Sequence, residues 1–303
     1  MRTEFTKEVE KIAKKNNKII FLTGDLGFNA FESLKSTMGN RFINIGVAEQ
    51  SMVGIAAGLA RKGFTVFCYS IAPFLVYRAL EQIRNDITFH NLPVILVGNG
   101  GGFGYGIMGS SHHAISDLAC ISSLGNITSW IPCFSNDIKQ IVNNAVKSDS
   151  PTYIRLGKSI SKKRSSNISG SFSIVSQSKS EITVIALGAL IEDVIQAVND
   201  LKLNISFNLL SCISLPLVVK GEVLKVLKST NRIIVLEDHV QVGGIAQQLS
   251  YFLNTQEIKV TKFISLTAKD YPSGTYGDQK FHHIESGIDL KGIKKAILNV
   301  LEK

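Results

Sequence analysis

A glutamate at the start of a small-residue segment is the first candidate for chemistry. Glu49 lies in GVAEQSMVGIAAGLARKG, residues 46–63, where a helix over 47–62 is predicted. A carboxylate in the first turn of a helix is stabilised by the helix dipole. Glu49 could be an exposed capping residue, but its small and apolar neighbours favour a buried functional carboxylate. Glycine in a helix interior costs about 1 kcal/mol relative to alanine, so we expect another backbone to approach this helix closely.

Two adjacent histidines after a glycine-rich stretch form the second candidate group. His112 and His113 lie in GNGGGFGYGIMGSSHHAISD, residues 98–117, directly after the predicted strand PVILVGN, residues 93–99. Open α/β folds bind ligands at the carboxyl ends of their strands, which favours a functional pair over two solvent-facing histidines. The GxGxxG match is a weak dinucleotide fingerprint, because it lies several residues past the strand. A zinc site would need a further cluster of ligands, so no metal ligand is predicted.

Aromatic and basic side chains follow two other predicted strands. Phe74 and Tyr77 begin a helix predicted over 74–90, and either ring could stack on a planar cofactor or belong to the core. Arg155 and Lys158 lie in RLGKS, where the last strand of the first domain ends, and either could bind an anion or be a surface charge. Each of these residues alone is consistent with both interpretations.

Strands and helices alternate twice along the chain, and the strand-like runs are short, apolar and rich in β-branched residues. This pattern is typical of parallel sheets covered by helices on both faces. We therefore predict an α/β fold of two three-layer αβα domains, each with a mostly parallel sheet. The strands are predicted at 18–24, 41–46, 64–70, 93–99, 126–132, 151–157, 181–188, 205–211, 232–238 and 259–266. The clearest helices are predicted at 4–16, 47–62, 74–90, 135–148, 190–201, 219–229, 243–254 and 287–302.

A change in composition divides the chain into two parts. Residues 158–180 are rich in Ser and Lys and show little periodicity, which is typical of a linker between domains. The first domain is predicted over residues 1–160, the linker over 161–180 and the second domain over 181–303. No sequence repeat relates the two halves.

The composition excludes several classes of protein. The chain has 303 residues, of which 45% are hydrophobic, so it can bury a large core without disulfides. No apolar run reaches the roughly 18 residues of a membrane helix, and the charged N-terminus lacks a signal-peptide core. Three of the four cysteines lie in apolar contexts and none forms a CxxC pair, which is typical of buried thiols in a reducing compartment. Together with the missing membrane and signal segments, this leads us to expect a cytoplasmic protein that binds no membrane. The net charge of +9 could attract phosphorylated substrates or be a solvated surface, but the scattered basic residues form no nucleic-acid-binding stripe.

Several segments together resemble the C-terminal two-thirds of transketolase-type thiamine diphosphate enzymes. TGDLGFNAF and GNRFINIGVAEQSMVGIAAGLA are similar to the start of the pyrimidine-binding domain in transketolase and in 1-deoxyxylulose-5-phosphate synthase. FLVYRALEQIRND, LPVILVG, SSHHAISDLA and SPTYIRLGKS are similar to the rest of that domain. IIVLEDHVQVGGIAQQL and SGIDLKGI are similar to the C-terminal domain of the family. The resemblance runs in order over nearly the whole chain and implies a transketolase-like transferase.

The resemblance implies cofactor-binding roles for four residues. Glu49 matches the glutamate that hydrogen-bonds the aminopyrimidine ring and favours its imino tautomer, whose imine then removes the proton from the thiazolium C2. Phe74 matches the ring that stacks on the pyrimidine, although a shift of the alignment would give this role to Tyr77. Asp25 in TGDL resembles a residue that lines the thiazolium side of the cofactor.

The predicted substrate-binding residues are two histidines and two basic side chains. His112 matches the histidine that faces the reacting carbon and its hydroxyls, and His113 stands where the family often has glutamine. Lys158 falls near the substrate-phosphate arginine of the family, and Arg155 is the second predicted anion contact. Lysine binds phosphate as a point charge without the fork of arginine, which leaves the selectivity for sugar phosphates open.

One motif of the full-length family is missing from the chain. In such enzymes a preceding domain carries a GDG…N motif that holds a divalent metal and the cofactor diphosphate. The nearest matches here are GDL at 24–26 and GDQ at 277–279, and the first predicted strand begins by residue 18. We therefore expect a partner subunit that holds Mg²⁺ or Ca²⁺ and the diphosphate of thiamine diphosphate. An α2β2 heterotetramer follows from this expectation, with the helix over 47–60 as an interface candidate.

Three functions are consistent with the sequence. The first is the C-terminal subunit of a split transketolase, which moves a two-carbon ketol unit between sugar phosphates. The second is the beta subunit of a 2-oxo acid dehydrogenase or a deoxyxylulose-phosphate-synthase-like enzyme, although dehydrogenase beta subunits usually carry a different histidine segment. The third is a catalytically silent scaffold or regulatory subunit, which the presence of Glu49 and His112 disfavours.

Overall fold

The short, apolar, β-branched runs of the sequence form two separate sheets, as predicted. The computed structural model of the protein describes residues 1–27, 30–159, 161, 163, 165 and 167–302. Both sheets are mostly parallel and pack against helices, which confirms the predicted α/β fold. All four cysteines are free, and none of the helices in the described ranges is both long and apolar enough to span a membrane.

The first unit is built on a parallel sheet. Its strands are β1 (Ile19–Thr23), β2 (Phe42–Asn44), β3 (Thr65–Ile71), β4 (Val94–Asn99), β5 (Thr128–Trp130) and β6 (Thr152–Leu156). Its helices are α1 (Arg2–Ala13), α2 (Glu32–Met38), α3 (Glu49–Arg61), α4 (Ala72–Arg78), α5 (Leu80–Gln82), α6 (Asp117–Ser122) and α7 (Ile138–Val146). The strand order is β5-β6-β4-β3-β1-β2. Since β6, β4, β3 and β1 are consecutive parallel neighbours, their carboxyl ends lie side by side.

The second unit has a mixed sheet. The strands of this unit are β7 (Ile168–Ser169), β8 (Phe172–Ser176), β9 (Ile182–Leu187), β10 (Asn208–Cys212), β11 (Ser214–Leu215), β12 (Arg232–Glu237) and β13 (Lys262–Thr267), and all but β11 belong to its own sheet. Its helices are α8 (Ile191–Leu201), α9 (Gly221–Ser229), α10 (Ile245–Thr255), α11 (Gln279–Ser286) and α12 (Leu290–Leu301). The sheet order is β13-β12-β9-β10-β8-β7, in which β8 and β7 are antiparallel to their neighbours.

Part of the predicted linker belongs to the second sheet. Strands β7 and β8 lie within residues 161–180, and β8 pairs with β10 through a register that joins Cys212 to Phe172. Phe172 is buried, whereas the strand ends exposed at Ser176, so the segment is an edge of the sheet and not a free connection. Residues 162, 164 and 166 of the predicted linker lie outside the described residues. The second unit therefore begins near residue 168 and not at residue 181.

The two units share a sheet edge and a core. Strand β11 of the second unit pairs antiparallel with β5 and becomes the seventh strand of the first sheet. One cluster of buried apolar side chains runs through both units and joins Ile131 and Phe134 to Leu187 and Cys212. The second unit therefore packs directly against the unit that carries the predicted site.

One predicted helix is interrupted. The helix expected over 74–90 begins at Ala72 and divides into α4, α5 and a π-helical turn, Ile83–Thr88. Ala79 separates α4 from α5 because its backbone, at φ −109° and ψ 18°, leaves the helical region. The short helices α2, α6 and α11 are absent from the prediction, since helices of six to eight residues show little periodicity.

Candidate active site

The predicted site residues follow strands that are adjacent in the first sheet. Asp25 follows β1, Phe74 follows β3, the loop that carries His112 follows β4, and Lys158 follows β6. Because these strands are parallel, the four segments leave the sheet at the same edge, where α/β folds bind their ligands. Glu49 reaches the same edge as the first residue of α3.

Glu49 is a buried carboxylate held at the start of α3. The residue is 3% exposed, and its Oε1 accepts a hydrogen bond of 3.0 Å from Ser70 Oγ on β3. A Cβ at Gly24, which follows β1, would lie 3.4 Å from Oε1, so the backbone after β1 also runs close to the carboxylate. The predicted burial of Glu49 is confirmed, and Ser70 of β3 holds one of its carboxylate oxygens.

Arg78 connects Glu49 to an aromatic face. Its Nη1 donates a hydrogen bond of 3.2 Å to Glu49 Oε2, and its Cζ lies 3.9 Å from the centroid of the Phe74 ring. Phe74 and Arg78 are four residues apart in α4, which places them on one face of that helix. Sequence reasoning missed Arg78, although this spacing from Phe74 could have indicated it. A planar N–H donor therefore bridges the carboxylate and the ring.

The imidazole of His112 lies against the same aromatic ring. The ring centroids of Phe74 and His112 are 4.8 Å apart, with an angle of 65° between the planes. His112 Nδ1 is 2.9 Å from the hydroxyl of Ser111, and the Tyr105 ring lies 6.0 Å from the imidazole. The structure thus brings the predicted carboxylate, aromatic ring and imidazole into one group.

An open cleft lies in front of the carboxylate. Its volume is about 440 Å³, and it is lined by Val47, Ala48, Glu49, Gln50, Ser51 and Arg78. Small-molecule sites typically have volumes of about 300–1,000 Å³, so the cleft can hold a ligand of the size of a heterocyclic ring. Val47 is 71% exposed at the rim, which leaves an apolar surface beside the polar opening.

Three other predicted residues have partners or positions of their own. The Tyr77 hydroxyl accepts a hydrogen bond of 3.1 Å from the Ser116 backbone N–H, so Tyr77 anchors the end of the glycine-rich loop that carries His112. Of the two aromatic alternatives, Phe74 is the one whose ring contacts both Arg78 and His112. Asp25 is exposed, and its Oδ1 accepts a hydrogen bond of 2.9 Å from Asn44. Lys158 is also exposed.

Arg155 does not reach the cleft, which corrects its prediction as an anion contact. The residue is 4% exposed, and it pairs with Asp117 through Nε at 3.0 Å and with Asp238 through Nη1 at 2.8 Å. Its Nη2 donates to the carbonyl of Ala114 at 2.9 Å. Burial lowers the pKa of the guanidinium, but the two carboxylates more than reverse this and hold the pKa above its ordinary value. Arg155 connects the two units of the chain.

His113 is also enclosed by protein groups, unlike the predicted substrate contact. Its Nε2 lies 2.7 Å from the Gly106 carbonyl, so this nitrogen carries the proton and donates. Its Nδ1 then accepts from the Tyr271 hydroxyl at 3.0 Å. Burial lowers the pKa of His113, and the neighbouring His282 and His112 lower it further. Both ring nitrogens are satisfied within the protein, so His113 has a structural position beside His112.

Two family models cover most of the chain. Residues 1–163 match the model described as transketolase, pyrimidine binding domain, and residues 170–284 match the model described as transketolase, C-terminal domain. The chain belongs to the transketolase family. The boundary between the two matches agrees with a second unit that begins near residue 168.

Individual relatives of this transketolase-family chain agree with the assignment. A protein of Phocaeicola vulgatus, named as one of the subunits of apulose-4-phosphate transketolase, is 27% identical over 308 residues, which cover 100% of this chain and 97% of the relative. 1-deoxy-D-xylulose-5-phosphate synthase of Clostridium tetani is 27% identical over 307 residues, which cover 98% of this chain but 48% of the synthase. A solved structure described as a split gene transketolase, inactive beta4 tetramer, has a TM-score of 0.82 at 26% identity. That superposition covers 99% of this chain and 97% of the other.

Proposed function

We propose that this chain is the pyrimidine-binding subunit of a split, thiamine diphosphate-dependent transketolase. In this proposal the assembled enzyme transfers a two-carbon ketol unit between sugar phosphates. The observation that carries the proposal is the buried Glu49 carboxylate, which shares one planar donor with the Phe74 ring. The full-length similarity to a protein named as a transketolase subunit supports a role of this kind.

The guanidinium of Arg78 is a stand-in that tests whether the cofactor fits. It is planar, lies on the Phe74 ring and donates to Glu49. An aminopyrimidine ring needs the same two partners, namely an aromatic face and a hydrogen-bond acceptor. The side chain of Arg78 is 46% exposed, so it can leave the Phe74 ring toward solvent when another planar ring enters the cleft. The residues therefore fit the pyrimidine half of thiamine diphosphate.

Three side chains of this chain bind the cofactor or the substrate, and one of them shares a proton with the cofactor. When bound, thiamine diphosphate supplies the carbon nucleophile that attacks a ketose carbonyl. Glu49 Oε2 shares a proton with a pyrimidine nitrogen, which a carboxylate does well in a site that excludes water. His112, beside Phe74, hydrogen-bonds the hydroxyls of the sugar at the reacting carbon. Lys158, after the neighbouring strand β6, attracts the sugar phosphate as a point charge.

A partner subunit completes the cofactor site in this proposal. It holds the diphosphate and the Mg²⁺ or Ca²⁺ ion, and two copies of each chain form an α2β2 heterotetramer. Helix α3 supports such an interface, because Ser51, Ile55 and Gly58 form an exposed stripe along it. A Cβ added at Gly54 or Gly58 would meet nothing within 4 Å, so a neighbouring backbone has room to approach the helix.

A synthase-like reaction is the second candidate. The similarity to 1-deoxy-D-xylulose-5-phosphate synthase over 98% of this chain favours it over other thiamine enzymes. The two candidates differ in the donor, which is a ketose phosphate for a transketolase and a 2-oxo acid for a synthase. A screen of both donor classes with the assembled enzyme separates them.

Substitution of Glu49 tests the proposal in the enzyme co-purified with the product of a neighbouring gene. Glu49→Gln keeps the size of the side chain but cannot share its proton, so we expect donor cleavage to fall at least about 100-fold. Glu257→Gln, at an exposed position of the second unit, should retain full activity. Undiminished donor cleavage by Glu49→Gln would refute the role of this carboxylate and leave a silent scaffold as the better interpretation.

Calorimetry of the isolated chain tests the need for a partner. We expect no tight binding of thiamine diphosphate with Mg²⁺ by this chain alone, and micromolar or tighter binding by the assembled enzyme. Tight, metal-dependent binding by the isolated chain would contradict the shared cofactor site.

A further inference from the structure

The second unit encloses the loop that carries the two histidines. We define the histidine loop as residues 100–116 and the supporting segment as residues 268–282. The backbone N–H of Val240 donates to the carbonyl of Ile115 at 2.7 Å, which ties the end of the loop to the second unit. Gly102, at φ 61°, lies so close to this unit that a Cβ would be 1.9 Å from the carboxylate of Asp238. The loop is thus fitted against the second unit along its length.

Buried rings continue this contact into the supporting segment. Phe103 of the histidine loop is fully buried and stacks on His282, with ring centroids 4.9 Å apart and planes 14° apart. His113 meets the edge of His282 at 4.8 Å, and the ring of Tyr271 lies 5.7 Å from that of His113. Phe103 also belongs to a small apolar cluster with Ala268 of the supporting segment.

His113 connects the supporting segment to the backbone of the histidine loop. Its Nε2–H donates to the carbonyl of Gly106 within the loop, and its Nδ1 accepts from the hydroxyl of Tyr271. Because His113 is 2% exposed, no water replaces either partner easily, and the ring holds one backbone position at a fixed distance from the second unit.

His112 lies between two points that the supporting segment holds. Ser110–His112 form one turn of 3-10 helix, and His113 follows it directly. Tyr276 Oη donates to Ser110 Oγ at 3.2 Å at the start of the turn, and Tyr271 holds His113 at its end. The imidazole of His112 extends from this turn to the ring of Phe74.

We propose that the supporting segment of the second unit is a positioning element of the active site, in which Tyr271 acts through His113 to fix the turn that presents His112. The inference rests on the function proposed above for His112 and gives the second unit a role in catalysis. Tyr271 is a positioning residue, since its hydroxyl contacts His113 and neither the cleft nor Glu49.

Tyr271→Phe in the assembled enzyme removes only the hydroxyl. We expect hydrogen–deuterium exchange of peptides from residues 100–116 to become about tenfold faster, and kcat to fall about tenfold, because small misplacements of a catalytic group are costly. The Kd for thiamine diphosphate should stay within twofold, since the Glu49 group is untouched. Tyr251→Phe, on an exposed tyrosine of α10, is the matched control and should change none of these quantities.

A double variant separates positioning from a general loss of stability. If Tyr271 acts through His112, Tyr271→Phe should lower kcat no further in a His112→Ala background. Tyr276→Phe, on a half-exposed ring, is the second test if Tyr271→Phe does not fold, and we expect a threefold effect on loop exchange and kcat.

Two results would overturn the inference. They are unchanged exchange of the histidine loop in Tyr271→Phe and Tyr276→Phe, or a further tenfold loss of kcat by Tyr271→Phe in the His112→Ala background. Failure of the proposed function gives a different result. In that case the unsubstituted enzyme cleaves no ketose phosphate, while faster loop exchange in the variant still supports the structural link, because exchange needs no turnover.

Discussion

Replacement of Arg155 by methionine tests whether a buried charge network holds the two units together. The side chain is 4% exposed and donates to Asp117, Asp238 and the carbonyl of Ala114. Methionine fills much of the same space but leaves two carboxylates without their cation. Loss of one partner from a buried ion pair costs about 3–5 kcal/mol. Asp117 keeps the hydroxyl of Tyr153 at 2.7 Å, so we expect a loss near the middle of that range, about 4 kcal/mol.

The size of this loss is measurable by thermal and urea unfolding at neutral pH. Since the entropy of unfolding is about 2.1 cal/mol/K per residue, 1 kcal/mol shifts the midpoint of a 303-residue protein by about 1.6 °C, and the midpoint of Arg155→Met should fall by roughly 6 °C. Lys158→Met removes an exposed cation three residues away and should stay within about 0.5 kcal/mol of the parent. Arg155→Lys keeps the charge without the fork, so its midpoint should lie between the two. A midpoint for Arg155→Met equal to that of Lys158→Met would refute the network as a source of stability.

Two further expectations concern the contact between the units. Burial lowers the pKa of His113 and of His239 below the ordinary 6.5, so both stay neutral in the folded protein. The free energy of unfolding that depends on the two neutral histidines is at its full value above pH 6.5. It falls as the pH drops toward their folded pKa, because the unfolded chain then binds more protons than the folded one. Urea unfolding between pH 5 and 7.5 should show this decline, and a flat profile would contradict it. Gly102→Ala should destabilise the protein more than Gly39→Ala, as measured by thermal unfolding, because both have positive φ but a Cβ meets nothing at Gly39. Equal losses for the two variants would mean that Gly102 has room for a side chain.

The core strands of the fold are predictable from sequence because burial on both faces gives them a distinctive composition. PVILVGN and RIIVLED each contain four consecutive apolar residues, VILV and IIVL, and both segments are found as largely buried strands, β4 and β12. Strands β7 and β8 are not predictable in this way, because β7 is the edge strand and β8 lies next to it, where polar residues are tolerated. Their Ser-rich composition resembles that of a linker, and they are strands because β8 pairs with the distant β10 and β7 pairs with β8.

The predictable part of the site consists of residues that local structure positions. Glu49 is the first residue of α3, which follows β2, and Phe74 lies in α4, which follows β3. Both residues therefore lie at the carboxyl edge of the sheet, as the order of strands and helices in the sequence predicts. The environments of Arg155 and His113 depend on partners 83 and 158 residues away, Asp238 and Tyr271. The sequence around Arg155 and His113 is the same whether these side chains contact a ligand or the second unit, so it could not distinguish the two environments.

The difference between residues held by the first unit and residues held by distant partners explains how the second unit supports the site. Glu49 and Phe74 lie in helices of the first unit, and Ser70 and Arg78 of the same unit hold the Glu49 carboxylate, so the first unit alone can present a carboxylate beside a ring. His112 lies in a glycine-rich loop, and glycine loses more conformational freedom on folding than any other residue. Such a loop needs contacts from outside to hold one conformation, and Arg155 and Tyr271 connect it to the second unit. The chemistry assigned to one domain therefore depends on the packing of the other.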